Sequence, residues 1–233
     1  MIGRARSAAH SLFDFGSLAG DYDRWYETPL GMAHDRAQKS DVRTLLGSAR
    51  PEGLLLDVGC GTGHWSRFFT SLGYAVIGID ISQDMIEVAG SRSAARCLFG
   101  VADACDLPFG NGCFDVVAAM ATLEFVSDVS RVLDEMFRCV SDAGVILVGT
   151  LNRLARINRR RVAAGREPYA SARLFTPGEL RHRLERFGRV RMRASLPQEI
   201  RPGERLGRRF AGWLAGRRST RGPFLVAEVA RNE

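Results

Sequence analysis

The run Leu54-Leu55-Leu56-Asp57-Val58-Gly59-Cys60-Gly61-Thr62-Gly63 limits the fold of this chain more than any other. An apolar strand leads directly into three alternate glycines, and a stretch of helical period follows over residues 65–72. Glycine is needed where the backbone turns tightly, and where a ligand must approach the main chain with no Cβ in the way. A loop at the carboxyl end of the first strand of a doubly wound sheet faces the crevice in which such sheets bind ligands.

The rest of the first two thirds keeps the same rhythm. Short apolar runs at 54–58, 75–79, 114–119 and 145–149 alternate with helical periods at 83–89 and 129–140. Over 129–140, Val129, Val132, Leu133, Met136, Phe137 and Val140 form one stripe, and Arg131, Asp134, Glu135 and Arg138 are expected on the exposed side. Strand–helix alternation implies a parallel sheet with helices on both faces, an α/β, Rossmann-like doubly wound fold. After residue 150 the rhythm changes. Thr176-Pro177-Gly178-Glu179 combines an N-cap, a proline at the first helical position and a glutamate three residues on, and predicts a helix running to about Phe187. Residues 189–194 alternate as a half-exposed strand, 224–230 form a last strand, and 204–218 have an amphipathic period. The expected organisation is a single domain over 1–233: a helical cap over 1–45, a core over 46–150, and arginine-rich insertions with the last strands over 151–233.

Forty-five per cent apolar content over 233 residues is enough for one full core. No stretch approaches the roughly 18 uninterrupted apolar residues of a membrane-spanning helix. Residues 1–15 lack the apolar run and small-residue cleavage site of a secretory signal, so a cytoplasmic protein is expected. Five cysteines with no CxxC pair, and histidines at 10, 34, 64 and 182, give no metal-ligand spacing. Free thiols, buried or half-buried, are expected. Charge is strongly uneven: residues 1–150 carry 12 basic and 19 acidic side chains, and residues 151–233 carry 21 and 7. That basic third could meet an anionic partner or form a solvated face.

Two common phosphate-binding patterns are excluded. GxGxxG would need glycine where His64 stands, and GxxxxGK[ST] is absent. GxGxG preceded by Asp57 points instead to a ligand with an amino acid part. Asp80 ends the second strand, 17 residues after Gly63, where a carboxylate can accept from both hydroxyls of a ribose or cap the next helix. Asp103 follows the third strand region, 98–101, where it can accept from an adenine amino group or serve a turn.

In this ordered set the sequence resembles the class I S-adenosylmethionine-dependent methyltransferases, of the branch that includes ubiquinone/menaquinone methyltransferase-like small-molecule enzymes. The resemblance covers residues from about 14 to 195. It implies a seven-stranded sheet whose last strand is antiparallel, and S-adenosyl-L-methionine as cofactor, released as S-adenosyl-L-homocysteine. It places Asp57 near the cofactor's amino group and Gly59, Cys60, Gly61 and Gly63 along its methionine part. Asp80 would hold the ribose, Ile81 and Met85 would line the adenine pocket, Asp103 and Ala104 would read the adenine edge, and Met120 would close the site. Phe15, Tyr22, Asp23, Trp25 and Tyr26 resemble the family's N-terminal lid, with Tyr22 reaching the methionine carboxylate. Many relatives have a histidine after the fourth strand, where this chain has Leu123-Glu124-Phe125.

Methyl transfer from a sulfonium mainly requires alignment, so no residue is singled out as catalytic; Glu124, Tyr26 and His10 are distant candidates for a base. The expected reaction is in-line transfer to a small-molecule acceptor, anionic or lipophilic. Two alternatives remain: RNA methylation through the basic third, and a module that binds the cofactor without turnover. The oligomeric state is left open.

Overall fold

The computed structural model describes residues 11–47, 52–92, 95–196 and 220–231. Seven strands form one sheet in the order β3-β2-β1-β4-β5-β7-β6. They are β1 (Leu54–Val58), β2 (Ala75–Asp80), β3 (Cys97–Val101), β4 (Phe114–Met120), β5 (Val140–Leu151), β6 (Arg189–Ser195) and β7 (Phe224–Ala230). The first five are parallel to one another, and β7 runs antiparallel to both β5 and β6, as expected. The sheet order reverses between β1 and β4, which opens a crevice beyond the carboxyl ends of those strands.

Helices cover both faces. In chain order they are α1 (Arg24–Glu27), α2 (Pro29–Leu46), α3 (His64–Ser71), α4 (Gln83–Ser91), α5 (Val129–Cys139), α6 (Arg156–Ala163) and α7 (Pro177–Leu184), with a short 3-10 turn at Gly16–Leu18. On one face Val132, Leu133 and Met136 of α5 and Leu180 and Leu184 of α7 pack on Leu56, Val117 and Ile146. On the other, Val42 and Leu45 of α2 and Trp65, Phe68 and Phe69 of α3 pack on Leu55, Val116 and Leu147. Burial on both faces explains why β1 and β4 are near-continuous apolar runs. β6 is an edge strand, and its alternation is visible: Arg189, Arg191 and Arg193 point outward, and Arg191 pairs with Glu228 at 2.6 Å.

Several sequence expectations are corrected. Glu135 is buried, because segment 105–109 crosses its helix face: the carboxylate accepts from Leu107 N at 2.9 Å and pairs with Arg138 at 2.7 Å. β5 begins at Val140, directly after α5, and α7 stops at Leu184 rather than Phe187. Four cysteines are buried as free thiols, whereas Cys113 is exposed. The cap is helical from Gly16 onward; residues 1–10, with His10, and the amphipathic stretch 204–218 lie outside the described residues. Among the described residues no helix is long and apolar enough to cross a membrane.

The α7 start has the expected reciprocal cap. Thr176 Oγ1 accepts from Glu179 N at 3.2 Å, and Glu179 Oε2 accepts from Thr176 N at 2.8 Å. Replacing Thr176 by alanine should lower the free energy of urea unfolding by about 1 kcal/mol, whereas serine should retain most of it.

Candidate active site

The loop after β1 turns through left-handed backbone at each glycine, with φ of 68° at Gly59, 53° at Gly61 and 77° at Gly63. Two of them also leave no room for a side chain. A Cβ on Gly59 would lie 2.3 Å from Thr122 Cγ2, and one on Gly63 would lie 2.9 Å from Phe99 Cζ. Gly61 differs: a Cβ there would meet nothing nearer than Met85 Sδ at 3.9 Å. Its open side faces a crevice of about 680 Å³.

Asp80 fastens this loop to the end of β2. Its Oδ2 accepts from Gly61 N and its Oδ1 from Ser82 N, both at 2.9 Å. The helix cap of α4 is Ser82, which accepts from Met85 N, so Asp80 is free of that role. Burial pushes the Asp80 carboxyl above the usual aspartate range, against the pull of those N–H groups. With Ile81 N bonded as well, the carboxylate keeps one acceptor site for a ligand.

Eight of the twelve residues expected at a cofactor site line this crevice: Tyr22, Gly59, Gly61, Asp80, Ile81, Met85, Asp103 and Ala104. Asp103 also holds its own turn, accepting from Cys105 N at 2.8 Å. The other four lie behind the lining. Cys60 and Gly63 are buried in the loop, with Cys60 Sγ close to Gly78. Met120 lies outside the lining: β4 continues through it and its Cε packs beside Gly149. Ala121, at φ 58°, takes its place in the wall together with Thr122. The Thr122 hydroxyl donates to Val58 O at 3.0 Å, bracing β4 against the glycine loop.

Asp57 is 1% exposed. Its Oδ2 accepts from Ser66 Oγ at 2.6 Å, while Oδ1 has no hydrogen-bond partner among the described residues. Burial, and after it the charge of Asp80, raise its carboxyl to about 7, with the Ser66 bond opposing them. An unpaired buried carboxylate oxygen behind the loop suits a ligand that brings positive charge to the crevice.

The N-terminal cap closes the crevice. Leu12 N donates to Phe125 O at 2.7 Å, and the Phe15 ring packs edge-on against Phe125 and Tyr22 at 4.8 and 6.0 Å. Asp23 ties the cap to the loop: it accepts from Thr62 Oγ1 at 2.7 Å, lies 3.5 Å from Arg67 and pairs with Arg92. Tyr26 stacks on His64 at 3.8 Å, and His64 contacts Asp35 of α2 at 2.7 Å. His64 thus clasps the cap, a role the sequence does not reveal.

Beyond the cap lies a second cavity of about 1040 Å³. Tyr22, Ala121 and Phe125 line both spaces, so the two chambers share one wall. Glu124, fully buried, opens onto the second, accepting from Thr150 Oγ1 at 2.8 Å and Leu151 N at 3.1 Å. Burial raises its carboxyl to about 7 despite those bonds. His34 and Gln38, one turn apart on α2, face the same cavity. Burial and then the Arg161 charge lower the His34 value.

Comparison with known proteins agrees with this geometry. Residues 56–148 match a methyltransferase domain. The chain is 34% identical over 139 residues to malonyl-[acyl-carrier protein] O-methyltransferase of Pectobacterium atrosepticum, covering 59% of this chain and 51% of that one. It is 32% identical over 177 residues to an uncharacterized Mycobacterium tuberculosis protein, covering 74% and 59%. The chain thus spans about half the length of the curated relatives it matches. A SAM-dependent methyltransferase from Thermotoga maritima superposes with a TM-score of 0.68 at 24% identity, over 94% of this chain and 98% of that one. Haemonchus contortus phosphoethanolamine N-methyltransferase 2, in complex with S-adenosyl-L-methionine, gives 0.63 at 17% identity over 95% and 60%. The fold and the matched segment are those of a class I methyltransferase. Residues 56–148 thus carry a methyltransferase domain, on a fold shared with solved S-adenosylmethionine-dependent methyltransferases.

The Asp57 arrangement has a stability consequence. Its carboxyl titrates near 7 when folded but near the ordinary aspartate value when unfolded, so it favours the fold at low pH and that support is lost as pH rises through 7. An asparagine at this position would not titrate. The stability of Asp57→Asn relative to wild type should therefore rise between pH 5 and pH 8, by about 2–4 kcal/mol. Parallel thermal melts at the two pH values check this, because Glu124 titrates alike in both proteins and cancels.

Proposed function

We propose that the protein binds S-adenosyl-L-methionine in the glycine-loop crevice and transfers its methyl group to a small-molecule acceptor held in the second cavity. The observation that carries this reading is the shared wall of Tyr22, Ala121 and Phe125, which brings two chambers to one dividing surface. The sulfonium supplies an activated methyl and a neutral leaving group. What remains for the protein is to bind, align and exclude water, with the reacting atoms held about 3–3.5 Å apart.

The residues suit those tasks. The open side of Gly61 and the Asp80 carboxylate would cradle the methionine part and the ribose, and Ile81, Met85, Asp103 and Ala104 would take the adenine. The unpaired Oδ1 of Asp57, beneath the loop, favours a positively charged occupant. Phe15, Tyr22 and Asp23 hold the cap down and keep water from the transfer. Relatives named O-methyltransferases support an oxygen acceptor.

A small acceptor is favoured over RNA by where the arginines of the basic third go. Arg153 pairs with Glu179, Arg186 with Asp134, Arg191 with Glu228 and Arg193 with Asp41. These four guanidinium groups are spent on the protein's own carboxylates and are not available to a phosphate backbone.

Calorimetric titration with S-adenosyl-L-methionine and S-adenosyl-L-homocysteine tests the reading. Micromolar binding is expected, weakened at least tenfold by Asp80→Ala, since that change removes both a ligand acceptor and the anchor of Gly61. A folded protein that binds neither ligand would overturn it. Asp23→Ala should weaken both ligands less, by about threefold to tenfold, because it loosens the cap without changing the crevice lining.

A further inference from the structure

The second cavity holds more chemistry than a purely apolar guest would use. Trp25, Tyr26, Trp65 and Tyr169 give it flat aromatic walls, which suit a ring-shaped ligand. Among the described lining residues Arg161 is the one arginine or lysine, and it is half-buried. Its guanidinium lies 4.5 Å from the Tyr169 ring centre and 5.9 Å from that of Trp25. No carboxylate is paired with it among the described residues, whereas Asp21 of the same cavity is 3.1 Å from Arg24. Near the wall shared with the crevice sits Glu124, whose carboxylate accepts from Thr150 Oγ1 and Leu151 N.

We propose that this cavity binds a flat aromatic acid bearing a ring hydroxyl, with its carboxylate paired to Arg161 and its hydroxyl hydrogen-bonded to Glu124 beside the shared wall. The proposal rests on the methyl-transfer reading above, in which the hydroxyl end is the one presented to the crevice.

Three features select this class. The aromatic faces next to Arg161 already carry a cation, and the Arg161 charge keeps a second cation away, so an amine that would otherwise favour an aromatic box is rejected. A half-buried guanidinium without a carboxylate is a strong site for a ligand carboxylate, which it can hold through two parallel hydrogen bonds. Glu124, titrating near 7 in its buried position, both donates and accepts around neutral pH. A hydroxyl matches that dual character, whereas an ammonium can only donate.

The test is calorimetric titration of the full chain, without cofactor, against four probes: 3-(4-hydroxyphenyl)propanoate, its methyl ester, 3-phenylpropanoate and tyramine. The hydroxylated acid should bind at least tenfold tighter than its ester, and tyramine should give no binding heat. Arg161→Met should abolish the preference for acid over ester while leaving the ester's affinity unchanged. Glu124→Gln should weaken the hydroxylated acid several-fold and leave 3-phenylpropanoate unchanged. Equal binding of acid and ester, tighter binding of tyramine, or an Arg161→Met protein that still prefers the acid would overturn the proposal. So would no binding of the acid at millimolar concentration to folded protein. Titration with S-adenosyl-L-homocysteine in the same preparation separates the two readings: if it binds and the acid does not, only this inference falls. If it does not bind, the cofactor reading falls, while the acid–ester comparison still decides what the cavity holds. Melting temperatures of both variants within a few degrees of wild type show that the lost binding is local.

Discussion

A loop that passes through left-handed backbone three times in five residues cannot hold its shape by local preference, and here one carboxylate holds it. Asp80 accepts from Gly61 on the loop and from Ser82 at the start of the next helix. It thereby fixes the distance between the two elements that frame the crevice. Thr122 braces the same loop from β4, and Asp23 reaches its tip through Thr62. The cavity, the lid and the shared wall all take their positions from that one joint. Its cost is also visible: the charge of Asp80 adds to burial in raising the carboxyl of Asp57.

The cap is what divides one large opening into two chambers. Without Phe15 and Tyr22 the crevice and the second cavity would merge over Ala121. Ala121 itself stands in a left-handed conformation that a branched side chain would resist, and its small size keeps the partition thin. On the far side Asn152 and Asn158 bind the turn leading into β7: Asn152 donates to Gly222 O at 2.7 Å, and Asn158 to Pro223 O at 2.7 Å. The position of Pro223 and Phe224 in the second cavity is therefore set by buried amides, and not by hydrophobic packing alone.

Much of this was legible in the sequence, and the gaps have physical causes. The strands of the core are read nearly to the residue because both faces of β1 and β4 are buried, so their apolar runs are uninterrupted. Asp80 and Asp103 follow from their places after β2 and β3 once the glycine run is located, whereas Ile81, Met85 and Ala104 come only from the family resemblance. Glu135 is misread because helical period cannot show that a later loop will cover a polar position. Met120 ends β4 and Ala121 makes the turn into the wall, a boundary that only the backbone shows. The roles of His64 and Arg161 depend on contacts between segments far apart in the chain, Tyr26 and Asp35 for one and Trp25 and Tyr169 for the other. No local pattern encodes those.

Tyr22 lines both chambers, and its hydroxyl lies where burial and the neighbouring Tyr169, Glu124, Asp23 and Asp80 all oppose its ionisation. A neutral, two-sided partition of this kind is a thermodynamic relay. Whatever shifts the ring on filling one chamber changes the free energy of filling the other, and that influence runs equally in both directions.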